Sequence, residues 1–324
     1  MKRVTRFFLI SVLSCVASYS AAAVGTAVNY PSKPIRFIVP FPPGGPSDAI
    51  ARLLGQKVNE TLGLPVVVDN RPSGAGIVGF DLAARARPDG YTVLLASGAG
   101  LSMNPAVYRK LPYDTVRDFE PITQVAATPT LVVINPSVPA KSLQEFVALA
   151  RAKPGQLNYA TTGTDNLLAA EMLRHVAGIK MEGINYKGSG DALNAILGGE
   201  VQLFVINPLI GLPHIKSGKL RAIGMTGLKR NPAFPDVPAV AETYPGYEQI
   251  GWHSVVVPAM TPKTIVTKLN TELVRIIKQP DVQERFRSYG LDATGTSPEE
   301  LADLIKREIV IYKNLVKQIG YQPQ

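Results

Sequence analysis

The chain has 324 residues and a formal net charge of +9, with 46% of its residues hydrophobic and 18% charged. That balance belongs to a folded globular protein and excludes a disordered one, and the length suits two medium α/β lobes or one large domain. Lysines and arginines are scattered rather than clustered, so small anions are the partners the charge suggests, not nucleic acid or a membrane.

The first residues read as an address. Lys2, Arg3 and Arg6 precede an apolar run over 7–16, and Ala21, Ala22 and Ala23 offer a small-residue cleavage site. As a helix that run would span only ~15 Å, about half a bilayer core. The expectation is a secretory signal over 1–23 and export to the periplasm. Cys15 lies in a poor lipobox, and it is the only cysteine, so the exported chain would have neither disulfides nor a thiolate metal site.

Beyond it, strand-like and helix-like runs alternate. Residues 35–41 predict a strand, 48–62 a helix, 65–68 a strand, 77–86 a helix and 91–96 a strand. This order implies a parallel sheet with helices on both faces. The pattern restarts with strands at 131–134, 157–160, 183–186, 201–206 and 222–226, and helices at 143–152, 167–176 and 192–197. A Pro-rich connection leads to a strand at 252–258 and two amphipathic helices, 262–278 and 298–318. Extended crossings near 121–130 and 247–257 predict two α/β lobes around a cleft: 24–126 and 250–324 form one lobe, 127–249 the other. Ligands in open α/β sheets sit beyond the carboxyl ends of strands. The loops there are 41–48, 69–76 and 97–104 in one lobe, and 161–166, 186–191 and 207–213 in the other.

Familiar catalytic motifs are missing. The "GAGIVG" of 74–79 matches a dinucleotide fingerprint in form, but no acid follows some 20 positions on to hold a ribose. There is no P-loop and no G-x-S-x-G elbow. His175, His214 and His253 lack metal-ligand spacing; His253, beside a crossing, is the most interesting of them. What remains are small, donor-rich loops. In "FPPGGPSD" (41–48), Gly44 and Gly45 allow successive N–H groups to turn inward, and the helix that follows adds its positive end. That suits a carboxylate. Asp48 is expected to cap the helix; as a direct ligand group it would repel an anion unless the solute also bore an ammonium or hydroxyl. In "ATTGTDN", Thr161, Thr162 and Thr164 offer hydroxyls and Gly163 freedom, so two facing helix starts would hold an anion between the lobes.

At these motifs the chain closely resembles the periplasmic solute receptors of tripartite tricarboxylate transporters, the Bug family. The resemblance covers nearly all of the chain beyond the signal, through "YPSKPIRFIVPFPPGGPSDAIAR", "VVVDNRPSGAGIVG", "DGYTVLLAS", "INYKGSGDALNAILGGEVQLF", "GKLRAIGMTG", "FPDVPAVAE" and "GWHSVVVPAMTP". It implies a type II periplasmic-binding-protein fold whose lobes close on a carboxylated solute. It implies a non-enzymatic role, no cofactor or metal, membrane transporter subunits as partners, and a monomer. The loop after the first strand supplies the first clamp, with Phe41, Pro43, Gly44, Gly45, Ser47 and Asp48. Thr161, Thr162, Gly163 and Thr164 supply the second, and Ser97 and Asn207 stand at further strand ends. The chain departs from the family pattern at Leu167, where a His is common, and at Asn207, where Asp is frequent. Dicarboxylates, aromatic carboxylates and amino acids are therefore all open as solutes. A ligand sensor of the same fold and an exported α/β enzyme are the alternative roles.

Overall fold

The computed structural model describes residues 30–231 and 234–323; the predicted signal, 1–23, lies outside them. Among the described residues no helix is long and apolar enough to cross a membrane.

The first half builds a β-α-β-α-β run: β1 (Ile35–Val39), α1 (Pro46–Leu62), β2 (Val66–Asn70), α2 (Ile77–Ala84) and β3 (Thr92–Ser97). The long β4 (Phe119–Pro129) then leads through Thr130 into β5 (Leu131–Ile134). The second sheet is completed by α3 (Leu143–Ala152), β6 (Asn158–Thr161), α4 (Thr164–Ala177), β7 (Glu182–Asn185), α5 (Ser189–Gly198), β8 (Leu203–Ile206), α6 (Pro208–Lys216) and β9 (Arg221–Met225). The chain returns through β10 (Ile250–Pro258) and ends with α7 (Lys263–Ile277), α8 (Pro280–Ser288), β11 (Asp292–Ala293) and α9 (Pro298–Gln318). One sheet has the order β11-β4-β10-β3-β1-β2, the other β7-β6-β8-β5-β9. This is the two-lobed α/β architecture expected.

The sheets are not purely parallel. β1 pairs in parallel with β2 and β3, but β10 runs antiparallel to both β3 and β4. In the other lobe β5 is antiparallel to β8 and β9. The strands that enter and leave each lobe come from the opposite end, so alternation alone could not reveal their direction. Two of these helices were also unforeseen, as were short ones at Asn104–Val107 and Thr115–Asp118. Residues 207–213 are not a loop: Pro208 starts α6 at its first turn, where a missing N–H costs nothing. Pro213 sits inside that helix, and its presence with Gly211 disguised the helix as a loop. In α8 only Val282 and Phe286 are buried, too few to show a period.

Each lobe has its own core. Phe37, Val39, Ile50 and Leu54 pack with Leu273, Ile276 and Phe286 in the first lobe, and Phe146, Leu173, Val205 and Tyr247 pack in the second. The two crossings are tied to each other. The Thr226 hydroxyl accepts the Thr130 N–H at 2.8 Å, and Gln249 N–H donates to the Thr226 carbonyl at 2.9 Å. Elsewhere the lobes touch where Gly290 packs against Pro208, and at two further edges. Thr164 of the second lobe bonds Asn104 of the first, next to an apolar seam of Met103, Leu168 and Tyr312. At the other edge, a Cβ on Gly188 would lie 3.0 Å from Pro42 Cγ.

Candidate functional site

Between these edges lies a cavity of about 510 Å³ lined by both lobes. It sits at the carboxyl ends of β1, β3 and β8, where ligands of open α/β sheets bind. Four helices begin on it: α1, α4, α5 and α6.

The loop before α1 is built to leave donors open. The helix is preceded by Gly45, which offers no side-chain cap, and Pro46 takes the first helical position. The early N–H groups of a helix have no carbonyl partner within it, and Ser47 and Asp48 supply two of them here. Gly44 adopts φ +82°, the left-handed region that favours glycine, whereas Gly45 is extended. Gly44 is therefore the residue the turn requires.

Asp48 holds this loop in place rather than capping the helix. Its buried carboxylate accepts the Gly44 N–H at 3.0 Å, Arg52 Nε at 2.9 Å and Asn70 Nδ2 at 3.0 Å. Asn70, at the end of β2, also donates to the Phe41 carbonyl at 3.1 Å. Burial works against the Asp48 charge, but the bonds from Arg52, Gly44 and Asn70 outweigh it and lower the pKa. The expected helix cap is thus corrected to a loop brace, with the acid turned away from the cavity.

Ser47 makes a link that sequence reading did not find. Its hydroxyl lies 2.9 Å from His253 Nε2, and both residues line the cavity. Burial depresses the His253 pKa to about 4, so the ring is neutral, and its Nδ1 has no hydrogen-bond partner. These residues are 206 positions apart in sequence; only the register of His253 opposite Ser97 places them together.

The second-lobe loop behaves differently. The N–H groups of Thr162 and Gly163 both donate to Asn166 Oδ1, at 3.0 and 3.2 Å. Those donors are occupied within the loop, so the expected second anion clamp is not formed by them. Thr161 is buried and donates to Asn185 Oδ1 at 3.2 Å, and the Thr164 hydroxyl goes to Asn104. Thr161, Gly163 and Thr164 do not line the cavity, whereas Thr162, Asp165 and Asn166 do. Leu167 packs between the second-lobe core and the interlobe seam.

The remaining expectations divide similarly. Phe41, Pro43, Gly44, Gly45, Ser47, Ser97 and Asn207 all line the cavity. Asn207 Oδ1 accepts the Leu209 N–H at 2.9 Å, capping α6 and leaving its NH2 group as a donor on the wall. The 69–76 loop stays outside; a Cβ on neighbouring Gly79 would lie 2.7 Å from Pro40 Cβ, so the glycines there serve close packing. Trp252, Met103, Phe204 and Ile210, which belong to no common sequence motif, give the cavity an apolar wall. No cluster that could hold a metal ion occurs among the described residues.

A two-lobed α/β fold with a partly apolar cleft fringed by helix starts defines a solute-binding receptor of the periplasmic-binding-protein class. Residues 50–321 match the family described as the tripartite tricarboxylate transporter family receptor, and the chain belongs to that family. It is 35% identical over 313 residues to the protein BugT of Bordetella pertussis, covering 94% of this chain and 95% of that one. It is 37% identical over 291 residues to a protein from the tcbD-tcbE intergenic region of Pseudomonas sp. strain P51, covering 89% and 86%. Among solved structures, the periplasmic binding protein BugD superposes with a TM-score of 0.86 at 33% identity, covering 91% of this chain and 100% of that one. An R. palustris protein solved with adipate superposes with a TM-score of 0.87 at 30% identity, covering 90% and 98%.

Proposed function

We propose that this chain works in the periplasm, capturing a small carboxylate-bearing solute in the interlobe cleft and delivering it to the membrane subunits of a tripartite tricarboxylate-type transporter. The observation that carries this reading is the uncapped start of α1 on the cavity wall, with Gly45, Ser47 and the helix amides available to an anion. The adipate bound by one relative is consistent with it. In this reading the Ser47 hydroxyl, oriented by His253, adds a donor, and Asn207 adds another from the second lobe. The lobes close about the crossings joined at Thr130, Thr226 and Gln249.

Ser47 and His253 also suggest a nucleophile and base, but their surroundings favour positioning. A catalytic imidazole needs an acceptor on its other nitrogen to fix its tautomer, and His253 Nδ1 has none. Burial also lowers its basicity to about 4, below what a base working near neutrality needs.

The test is a thermal-shift screen of a carboxylate library, followed by calorimetry on the wild type and Gly45→Val. A ligand at a hundred times its Kd adds about 2.7 kcal/mol of apparent stability. A Cβ at Gly45 meets only the Pro42 carbonyl, at 3.7 Å, so the chain has room for the substitution while the cavity loses space. Binding that survives Gly45→Val unchanged would place the site elsewhere.

A further inference from the structure

Among the residues lining the cleft there is no lysine and no arginine; the only charged side chains are Asp165 and Asp191. Neither forms an ion pair, since the salt bridges among the described residues all lie elsewhere. Both stand in the first turn of a helix, Asp191 in α5 and Asp165 in α4, where the positive helix end favours an acid, but Asp191 is exposed to solvent. Asp165 is partly buried, and burial pushes its carboxyl pKa upward despite hydrogen bonds from its own N–H and that of Asn166. No cation compensates it from the first lobe. Asp165 acts on Tyr312, whose other charged neighbours are Glu308 and Glu248.

The two sides of the cleft therefore differ in sign. The first lobe presents hydrogen-bond donors at the start of α1, and its acid, Asp48, is fully engaged with Arg52, Asn70 and Gly44. The second lobe presents an acid with no ion-pair partner, while its loop N–H groups are occupied by Asn166. A solute with a carboxylate at both ends would bring one of them toward Asp165 with no cationic side chain in the lining to offset the repulsion. A solute with a cationic nitrogen at that end would supply the missing partner.

Resting on the receptor reading above, we propose that the cleft selects a monocarboxylate bearing a cationic nitrogen at its far end, and that Asp165 is the residue that pairs with that nitrogen. The carboxylate sits on the Gly45–Ser47 side and the cation on the α4 side. Asp165 is then the specificity determinant, and binding polarity follows from the two loops.

The test uses the full chain, unfolded and refolded to remove any co-purified solute, and probes matched in length. These are β-alanine against succinate, γ-aminobutyrate against glutarate, δ-aminovalerate against adipate, and para-(aminomethyl)benzoate against para-(carboxymethyl)benzoate. Calorimetry should show at least one amino member binding about tenfold or more tighter than its dicarboxylate twin, as one charge-assisted bond implies. Asp165→Asn should erase that preference, and Asp165→Glu should retain part of it. Thermal melts of both variants confirm that they fold, and the wild-type pairs decide the ligand class even if a variant does not. Dicarboxylates binding as tightly as their amino twins, or tighter, would overturn the proposal and leave the receptor reading standing. A preference that persists in folded Asp165→Asn would overturn the role of Asp165. If no probe binds, and the wider carboxylate screen is also silent, the receptor reading of the cleft itself fails.

Discussion

The two loops that face each other across the cleft contain similar parts put to opposite uses. Each lies between a strand and a helix, and each helix is preceded by a glycine, Gly45 or Gly163. Each also has an aspartate in the first turn, Asp48 or Asp165. In the first lobe the acid is buried and triply bonded, and the amides at the helix start remain open. In the second, Asn166 occupies the loop amides, and the acid is bonded only by N–H groups of its own helix start and has no ion-pair partner. Whether an acidic residue braces a loop or faces a ligand thus depends on whether a cation and an amide from other elements reach it. Arg52 and Asn70 do so for Asp48; nothing equivalent reaches Asp165.

The largest expected effect comes from pushing the two loops apart. Gly188 lies against Pro42, and a side chain there would meet the proline ring at 3.0 Å. Gly188→Val should hold the lobes open and weaken solute binding roughly 5- to 150-fold, since overpacking a close contact costs about 1–3 kcal/mol. Calorimetry reads the affinity and X-ray scattering the expansion. An unchanged Kd with unchanged scattering would show that this edge yields without cost.

Stability separates the two acids more directly. Asp48→Ala leaves the Gly44 N–H, the half-buried Asn70 amide and Arg52 without their shared partner and should destabilise the protein by about 1–3 kcal/mol. Asp165→Asn removes a partly buried, unpaired charge and should be neutral or stabilising, within about 1 kcal/mol. The pH dependence is opposite as well. Asp48 has a lowered pKa, so its contribution is present above the unfolded carboxyl value and is lost as pH falls through the folded one. Asp165 has a raised pKa, so its contribution is present below the unfolded value and is lost as pH rises through the folded one. Denaturant melts of both variants at pH 4 and pH 7 would break the comparison if the two responded alike.

His253 offers a finer test of the first loop. With its pKa near 4 against an unfolded value of about 6.5, it favours the folded state above that window and disfavours it as pH falls through it. His253→Phe should remove this acid sensitivity and reduce solute affinity by roughly the loss in Ser47→Ala, about 0.5–1.5 kcal/mol for a neutral bond. The double variant should then be no worse than either single one, as coupled partners require. Additive losses would mean that the imidazole does not act through Ser47.

The smallest effect is spectroscopic. Trp252 is buried, lines the cavity and donates its Nε1–H to the Glu308 carboxylate at 2.9 Å. Burial raises the Glu308 pKa to about 7, partly offset by the Trp252 bond. Trp252 emission should therefore titrate near neutrality without solute and shift saturably when solute binds beside it. Glu308→Gln should abolish the pH step and keep the solute response. A pH step that survives would assign it to another group.

Much was legible from the chain itself. Apolar runs such as 131–134 and periodic ones such as 143–152 and 298–318 were read to the residue, because their burial pattern is local. The 41–48 loop was recognisable because Gly44 and Gly45 lie between an apolar strand and a helix start, whereas the absence of a side-chain cap was not foreseen. Strand direction in β10, the helical state of residues 208–216, the bracing role of Asp48 and the Ser47–His253 bond were decided only in three dimensions. The physical reason is the same in each case: hydrogen bonds and charge pairs between distant residues form only where the sheets place them. Local preference sets what a residue offers, and its neighbours in the folded lobes set what remains for a ligand.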